Sequence, residues 1–210
     1  MKIAILLFDN YTALDIVGPY EVLSYIPGSK IYFIAEKPGF YKNCKGIQIS
    51  AEYSLNDLKD PDIVVIPGGF GIDAILDNKE ILNWVTAVHK KSQWTTSVCS
   101  GVLLLAAAGI LKGCRVTTNW NRVEQLRKYS VEFVNERYVK DGKIITSAGV
   151  SAGIDMALYL TSLVVNENFA KTVQLAIEYD PMPPFDSGSP EKAPKEILEM
   201  ILNVRNSKNK

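Results

Sequence analysis

Unbroken apolar runs alternate along this chain with stretches of helical periodicity, and that alternation predicts the architecture. Ile3–Phe8, Ile31–Glu36, Asp62–Ile66 and Trp94–Val98 read as strands. The first is a continuous apolar run, as in strands covered on both faces. Ala13–Tyr25, Asn78–Lys91, Ser151–Val165 and Glu167–Tyr179 read as helices. A helix start or kink is expected at Pro19, because a proline ring disrupts a helix interior. Arg115–Thr118 reads as a fifth strand and Asn121–Lys128 as a further helix. Phe133–Val139 and Lys143–Thr146 read as a hairpin joined through Asp141-Gly142. A proline-rich surface loop follows from Tyr179 to Pro194, then a short amphipathic helix over Lys195–Val204. The pattern predicts an α/β fold: one domain spanning residues 1–210, a doubly wound, mostly parallel sheet with helices on both faces.

The most informative stretch is Thr95 to Gly109, where a β-branched strand passes into a helix rich in Leu and Ala. Cys99 falls in the turn between them, with only Ser100 and Gly101 to complete it. That placement is a nucleophile elbow: the side chain leaves the sheet edge beside a helix N-terminus, whose dipole is expected to lower a thiol pKa. The competing reading is a buried, inert cysteine. Gly68-Gly69, with Phe70 after them, end the third strand, either as an oxyanion nest of backbone N–H groups or as a tight turn. Asp15 stands among Leu14, Ile16 and Val17, either as a cap for the first helix or as an acid whose pKa burial raises; spacing favours the cap.

Composition narrows the chemistry. Formal net charge is zero over 210 residues, which predicts neither nucleic-acid nor membrane binding. Three cysteines without CxxC spacing and the absence of a signal-like segment point to a cytoplasmic setting. The single histidine, His89, falls at the basic end of a surface helix, where solvation and the helix C-terminus are its expected company. A Cys-His dyad therefore has no second member, and no metal site or cofactor is expected. Cys44 and Cys114 sit in turns with no helix start behind them.

These residues resemble the ThiJ/PfpI superfamily, and within it the isocyanide hydratases. The motifs are Leu14-Asp15-Ile16-Val17-Gly18-Pro19, Ile66-Pro67-Gly68-Gly69, Ser97-Val98-Cys99-Ser100-Gly101, Thr117-Thr118-Asn119-Trp120, Ser151-Ala152-Gly153-Ile154-Asp155 and the tail from Glu178 to Pro190. The resemblance implies a flavodoxin-like fold, a homodimer with the Asp15–Tyr25 region near its interface, and small-molecule substrates. It implies Cys99 as nucleophile, Asp15 as the acid beside its sulfur, Ser100 where hydratases carry threonine, and Val150 beside the nucleophile. Asn119 replaces the histidine of the usual Thr-Thr-His-Trp motif, and Trp120 follows as core or pocket wall. The implied activity is hydration of an isocyanide to an N-substituted formamide. The alternatives are glyoxalase or deglycase chemistry on reactive carbonyls, with the protease or amidase label such proteins carry, and a non-catalytic redox or ligand sensor.

Overall fold

A computed structural model describes residues 1–208, with side chains through residue 203. The strands are β1 (Lys2–Leu6), β2 (Lys30–Ala35), β3 (Gly39–Lys42), β4 (Gln48–Ala51), β5 (Tyr53–Ser54), β6 (Ile63–Ile66), β7 (Trp94–Val98), β8 (Arg115–Val116), β9 (Glu132–Phe133), β10 (Tyr138–Asp141) and β11 (Ile144–Ser147). The helices are α1 (Ala13–Ser24), α2 (Ile72–Ile75), α3 (Lys79–Lys91), α4 (Val102–Ala107), α5 (Val123–Leu126), α6 (Ala152–Val164), α7 (Glu167–Ala176) and α8 (Lys195–Lys208).

The main sheet has seven strands in the order β10-β11-β7-β6-β1-β2-β5. All its pairs are parallel except the β10–β11 hairpin at one edge. β1 and β6 lie at the centre, and Ile3–Leu6 and Ile63–Ile66 are fully buried, as their unbroken apolar runs require. Chain order runs outward from β1 through β2 on one side and from β6 through β7 on the other. Right-handed crossovers then place α1 and α3 on opposite faces, and the β1–β6 boundary is a topological switch point, where α/β sheets bind ligands at their carboxyl ends.

Several elements depart from the sequence reading. α1 runs through Pro19 without interruption. Its packing on α6 explains this: Gly18 lets Ile154 approach so closely that an added Cβ would stand 3.0 Å from Ile154 Cγ1, and Pro19 itself packs at Gly153. β8 does not join the main sheet; it pairs with β9 in a two-stranded parallel sheet. The main-chain N–H of Thr117 is taken instead by Thr146 Oγ1 at 2.9 Å, so the β-branched run leaves the ladder there. The β3–β4 hairpin and the single-turn α2 were absent from the expected elements.

Contacts divide the chain into two compact units, Met1–Ile177 and the segment from Glu178 onward. Taken by itself, the second unit carries exposed Met182 and Phe185, an Asp186–Lys192 ion pair at 2.8 Å and α8. Among the described residues no helix is long and apolar enough to cross a membrane.

Candidate active site

Three strand ends meet at the site. β7 ends at Val98, and Cys99 follows with φ of 58°, in the left-handed region. A residue bearing a Cβ holds that conformation at a cost of about 1–2 kcal/mol. Its surroundings enforce it. Thr118 Oγ1 donates to the Cys99 carbonyl at 3.0 Å. Gly101 lies against the end of β6, where an added Cβ would stand 2.2 Å from Ile66 O. Gly68 also meets Ser100 closely, with 2.6 Å between an added Cβ and Ser100 N. The turn is thus wedged between β6 and the Thr117-Thr118 segment, and the Cys99 side chain is left 8% exposed.

Asp15, in the first turn of α1, is fully buried. It caps no N–H of its own helix. Its Oδ2 accepts the Gly68 N–H at 2.9 Å, across 53 residues of sequence. Its Oδ1 is buried with no hydrogen-bond partner of ordinary geometry among the described residues. The geometry thus turns Asp15 toward the site, against the preference spacing gave for a cap. Burial raises its pKa from 3.8 to about 7, against the opposing pull of the Gly68 N–H and the Cys99 thiol.

The Cys99 thiol does not follow the helix-dipole expectation of a lowered pKa. Burial pushes it up, the nearby Asp15 charge adds to this, and contacts with Ser100 and the charge of Arg122 pull only partly the other way. The turn after Val98 is a 3-10 turn, Cys99–Gly101, before the short α4 begins, so the helix N-terminus offers little compensation.

The Gly68-Gly69 pair also differs from the oxyanion expectation. Gly68 N–H is bound to Asp15, and Gly69 N–H donates to Ser100 Oγ at 3.1 Å. Both donors are therefore engaged within the protein. Ser100 Oγ also lies 3.4 Å from Gly69 O, so its one proton serves two acceptors, that carbonyl and the Cys99 sulfur. Phe70, next in the turn, is 55% exposed. Asn119 Oδ1 accepts the Asn121 N–H at 3.2 Å and caps a 3-10 turn over Trp120–Arg122. Trp120 and Val150 are half-buried, and Val150 packs against the core.

Two further residues complete the picture. His89 is half-buried at the opposite end of β7, its Nδ1 2.9 Å from Thr95 Oγ1. Lys143 takes the helix-end carbonyls, donating to His89 O and, at 3.0 Å, to Ser92 O. The expected solvated histidine at a helix end is thus replaced by a packed one, far along the strand from Cys99. Arg122, which the sequence reading passed over, puts its charge near the Cys99 sulfur and pairs with Asp73 at 2.8 Å. No local signal marks it, since Asp73 lies 49 residues away.

Fold and site together define a doubly wound α/β domain with a strained, buried cysteine at the carboxyl edge of a central strand and a buried carboxyl beside it. The chain belongs to the DJ-1/PfpI family, whose model matches residues 1–163. It is 35% identical over 199 residues to a protein named isonitrile hydratase from Pseudomonas putida, covering 95% of this chain and 87% of that one. A solved THiJ/PfpI family protein from Pseudomonas syringae superposes with a TM-score of 0.94 at 32% identity, over 98% of this chain and 86% of the other. A protein named deglycase from Thermococcus kodakarensis is 23% identical, covering 70% of this chain and 89% of its own.

Proposed function

We propose that this protein is a cysteine-dependent hydratase that converts an isocyanide, R–N≡C, and water to the formamide R–NH–CHO. The observation that carries the reading is the Cys99–Asp15 pair: a buried thiol and a buried carboxyl whose pKa is raised to about 7, with no imidazole beside them. The similarity to the Pseudomonas putida isonitrile hydratase supports it.

An isocyanide reacts at one carbon that must gain both a nucleophile and a proton. Asp15 accepts the thiol proton as the Cys99 sulfur bonds to that carbon, then returns the proton to the same carbon, giving the thioimidate R–N=CH–S–Cys99. Water adds to this carbon, the C–S bond breaks, and the thiol regains a proton through Asp15. Two smaller barriers replace one, the general gain of nucleophilic catalysis. Ser100 steadies the sulfur by hydrogen bonding. On this reading half-buried Trp120 and Val150, with Asn119, are assigned to the substrate pocket wall, and exposed Phe70 to its rim.

Because the thiol and carboxyl are coupled, the reactive species is the pair with one proton between them. Its formation follows loss of the first proton, so kcat/KM is expected to rise with pH through about 7. Hydration of para-nitrophenyl isocyanide, followed by product absorbance, tests the proposal. Turnover is expected with the wild type and is lost in Cys99→Ala and Asp15→Asn. No turnover by the wild type, or undiminished turnover by Cys99→Ala, overturns it.

A further inference from the structure

Arg122 presents a guanidinium edge to which the hydration chemistry assigns no role. Its side chain is only 12% exposed. Nη1 alone carries its hydrogen bonds: to Asp73 Oδ1 at 3.2 Å and to Gln125 Oε1 at 2.8 Å, with Asp73 Oδ2 also at 2.8 Å. Gln125 Nε2 in turn donates to Asp73 Oδ1 at 2.8 Å, so the guanidinium is fixed from both sides. Nε and Nη2 have no acceptor among the described residues. These two groups share one edge of the guanidinium plane, the edge that grips a carboxylate with two parallel hydrogen bonds. Asp73 is 47% exposed, so water screens much of its counter-charge. The backbone sets the position: Thr118 is tied to the Cys99 carbonyl, and the Arg122 N–H closes the next turn on Asn119 O at 2.8 Å.

We propose that the Nε/Nη2 edge of Arg122 is a carboxylate-binding subsite beside Cys99, and that the substrates are isocyanides bearing a carboxylate. The proposal rests on the hydratase reading and names its substrate class. Hydration of an isocyano carboxylate gives an N-formyl amino acid, with atoms balanced by the one water consumed. Arg122 also lowers the Cys99 thiol pKa, so its loss affects every substrate at the chemical step. Selectivity between a charged substrate and its neutral isostere cancels that general effect and isolates the fork.

The test compares isocyanoacetate with its methyl ester in wild type, Arg122→Gln and Arg122→Lys. The wild type should prefer the carboxylate, and Arg122→Gln should lower the carboxylate-to-ester ratio of kcat/KM by roughly tenfold to a hundredfold, the range for a charge-assisted bidentate contact. Arg122→Lys keeps the charge without the fork and should recover only part of the ratio. A wild type without the preference, or a ratio that Arg122→Gln leaves in place because both substrates fall together, overturns the proposal. A parallel measurement does not depend on hydratase activity: the rate of Cys99 alkylation by iodoacetate relative to iodoacetamide, read by mass spectrometry. If no isocyanide is turned over, the hydratase reading fails. The alkylation ratio still decides the subsite: a fall in Arg122→Gln supports it and an unchanged ratio overturns it.

Discussion

Asp15→Asn should make this protein less active and, at neutral pH, more stable. Asp15 is fully buried, and its pKa is raised from 3.8 to about 7 chiefly by burial. Below pH 3.8 the folded and unfolded chains both hold the proton. Between 3.8 and about 7 only the folded chain does, so stability falls as pH rises through that window. At about 1.36 kcal/mol per pH unit, the full window is worth about 4 kcal/mol. From pH 5 to pH 8 the same two values give a loss of about 2.5 kcal/mol. Asparagine is close to the protonated acid in shape and carries no charge to desolvate. Its Oδ1 can keep the Gly68 N–H, but its amide N–H groups then occupy the place of the unpartnered Oδ1, at about 1–3 kcal/mol. That penalty does not change with pH.

Urea unfolding of wild type and Asp15→Asn at intervals from pH 5 to pH 8 measures the effect. The difference between the two proteins cancels the other titrating groups and should move by about 2.5 kcal/mol in favour of the variant as pH rises. Two curves that run parallel within about 1 kcal/mol refute the reasoning, because Asp15 would then ionise alike in the folded and unfolded states. A gap that moves the other way means a carboxylate stabilised in the fold, and removes the acid role with it.

Three further outcomes follow from local geometry. Gly101→Ala should destabilise by about 2–3 kcal/mol in thermal or urea unfolding, because its Cβ would meet Ile66 O at 2.2 Å and drive the turn from β6. Lys143→Met should raise the His89 pKa, which burial and the Lys143 charge hold down, and should leave Ser92 O without the Lys143 donor and His89 O with only Ser92 Oγ at 3.3 Å, at about 1–3 kcal/mol; an imidazole NMR titration and urea unfolding read the two effects. The exposed face of α1, with Leu14, Val17 and Tyr20, and Tyr25 just after the helix, all between 37% and 42% exposed, is proposed as a homodimer contact. On that proposal the wild type runs as a dimer in light scattering after gel filtration and Val17→Glu shifts it toward monomer; a monomeric wild type overturns the proposal, and a mass distribution that Val17→Glu leaves unchanged removes α1 from the interface.

The fold was legible wherever burial on both faces dictated composition. Ile63–Ile66 can be little else than a central strand, and Asn78 announces α3 by accepting the Glu80 and Ile81 N–H groups. Short-range pattern failed where a long-range partner decided the outcome. The Arg115–Thr118 run has strand composition, yet Thr146 Oγ1 takes the Thr117 N–H and the main sheet closes without it. Pro19 stays helical because α6 packs against it, which no window around residue 19 reveals. The site divides in the same way. Cys99 is marked by its strand-to-helix junction, while Asp15 looks like a cap until Gly68 is placed beside it. Arg122 carries no mark at all until Asp73 and Gln125 fix it.

The two departures at the site, a thiol pKa pushed up and a glycine pair already engaged, point to one kind of chemistry. Attack on an amide or ester places negative charge on oxygen, which calls for free N–H donors aimed at that atom. Here the Gly68 and Gly69 N–H groups are bound to Asp15 and Ser100, and releasing them would leave a buried carboxyl without its hydrogen bond. Attack on an isocyanide places negative charge on carbon, which calls for a proton. In the proposed reaction that proton comes from Asp15, a buried carboxyl with a pKa raised to about 7 beside the thiol proposed as nucleophile. The strain at Cys99 and the close packing of Gly68 and Gly101 then share a purpose. They hold sulfur and carboxyl in one desolvated pocket, where a single proton passes between them more readily than two separated charges can form. That balance favours hydration of a carbon electrophile over cleavage of an acyl bond.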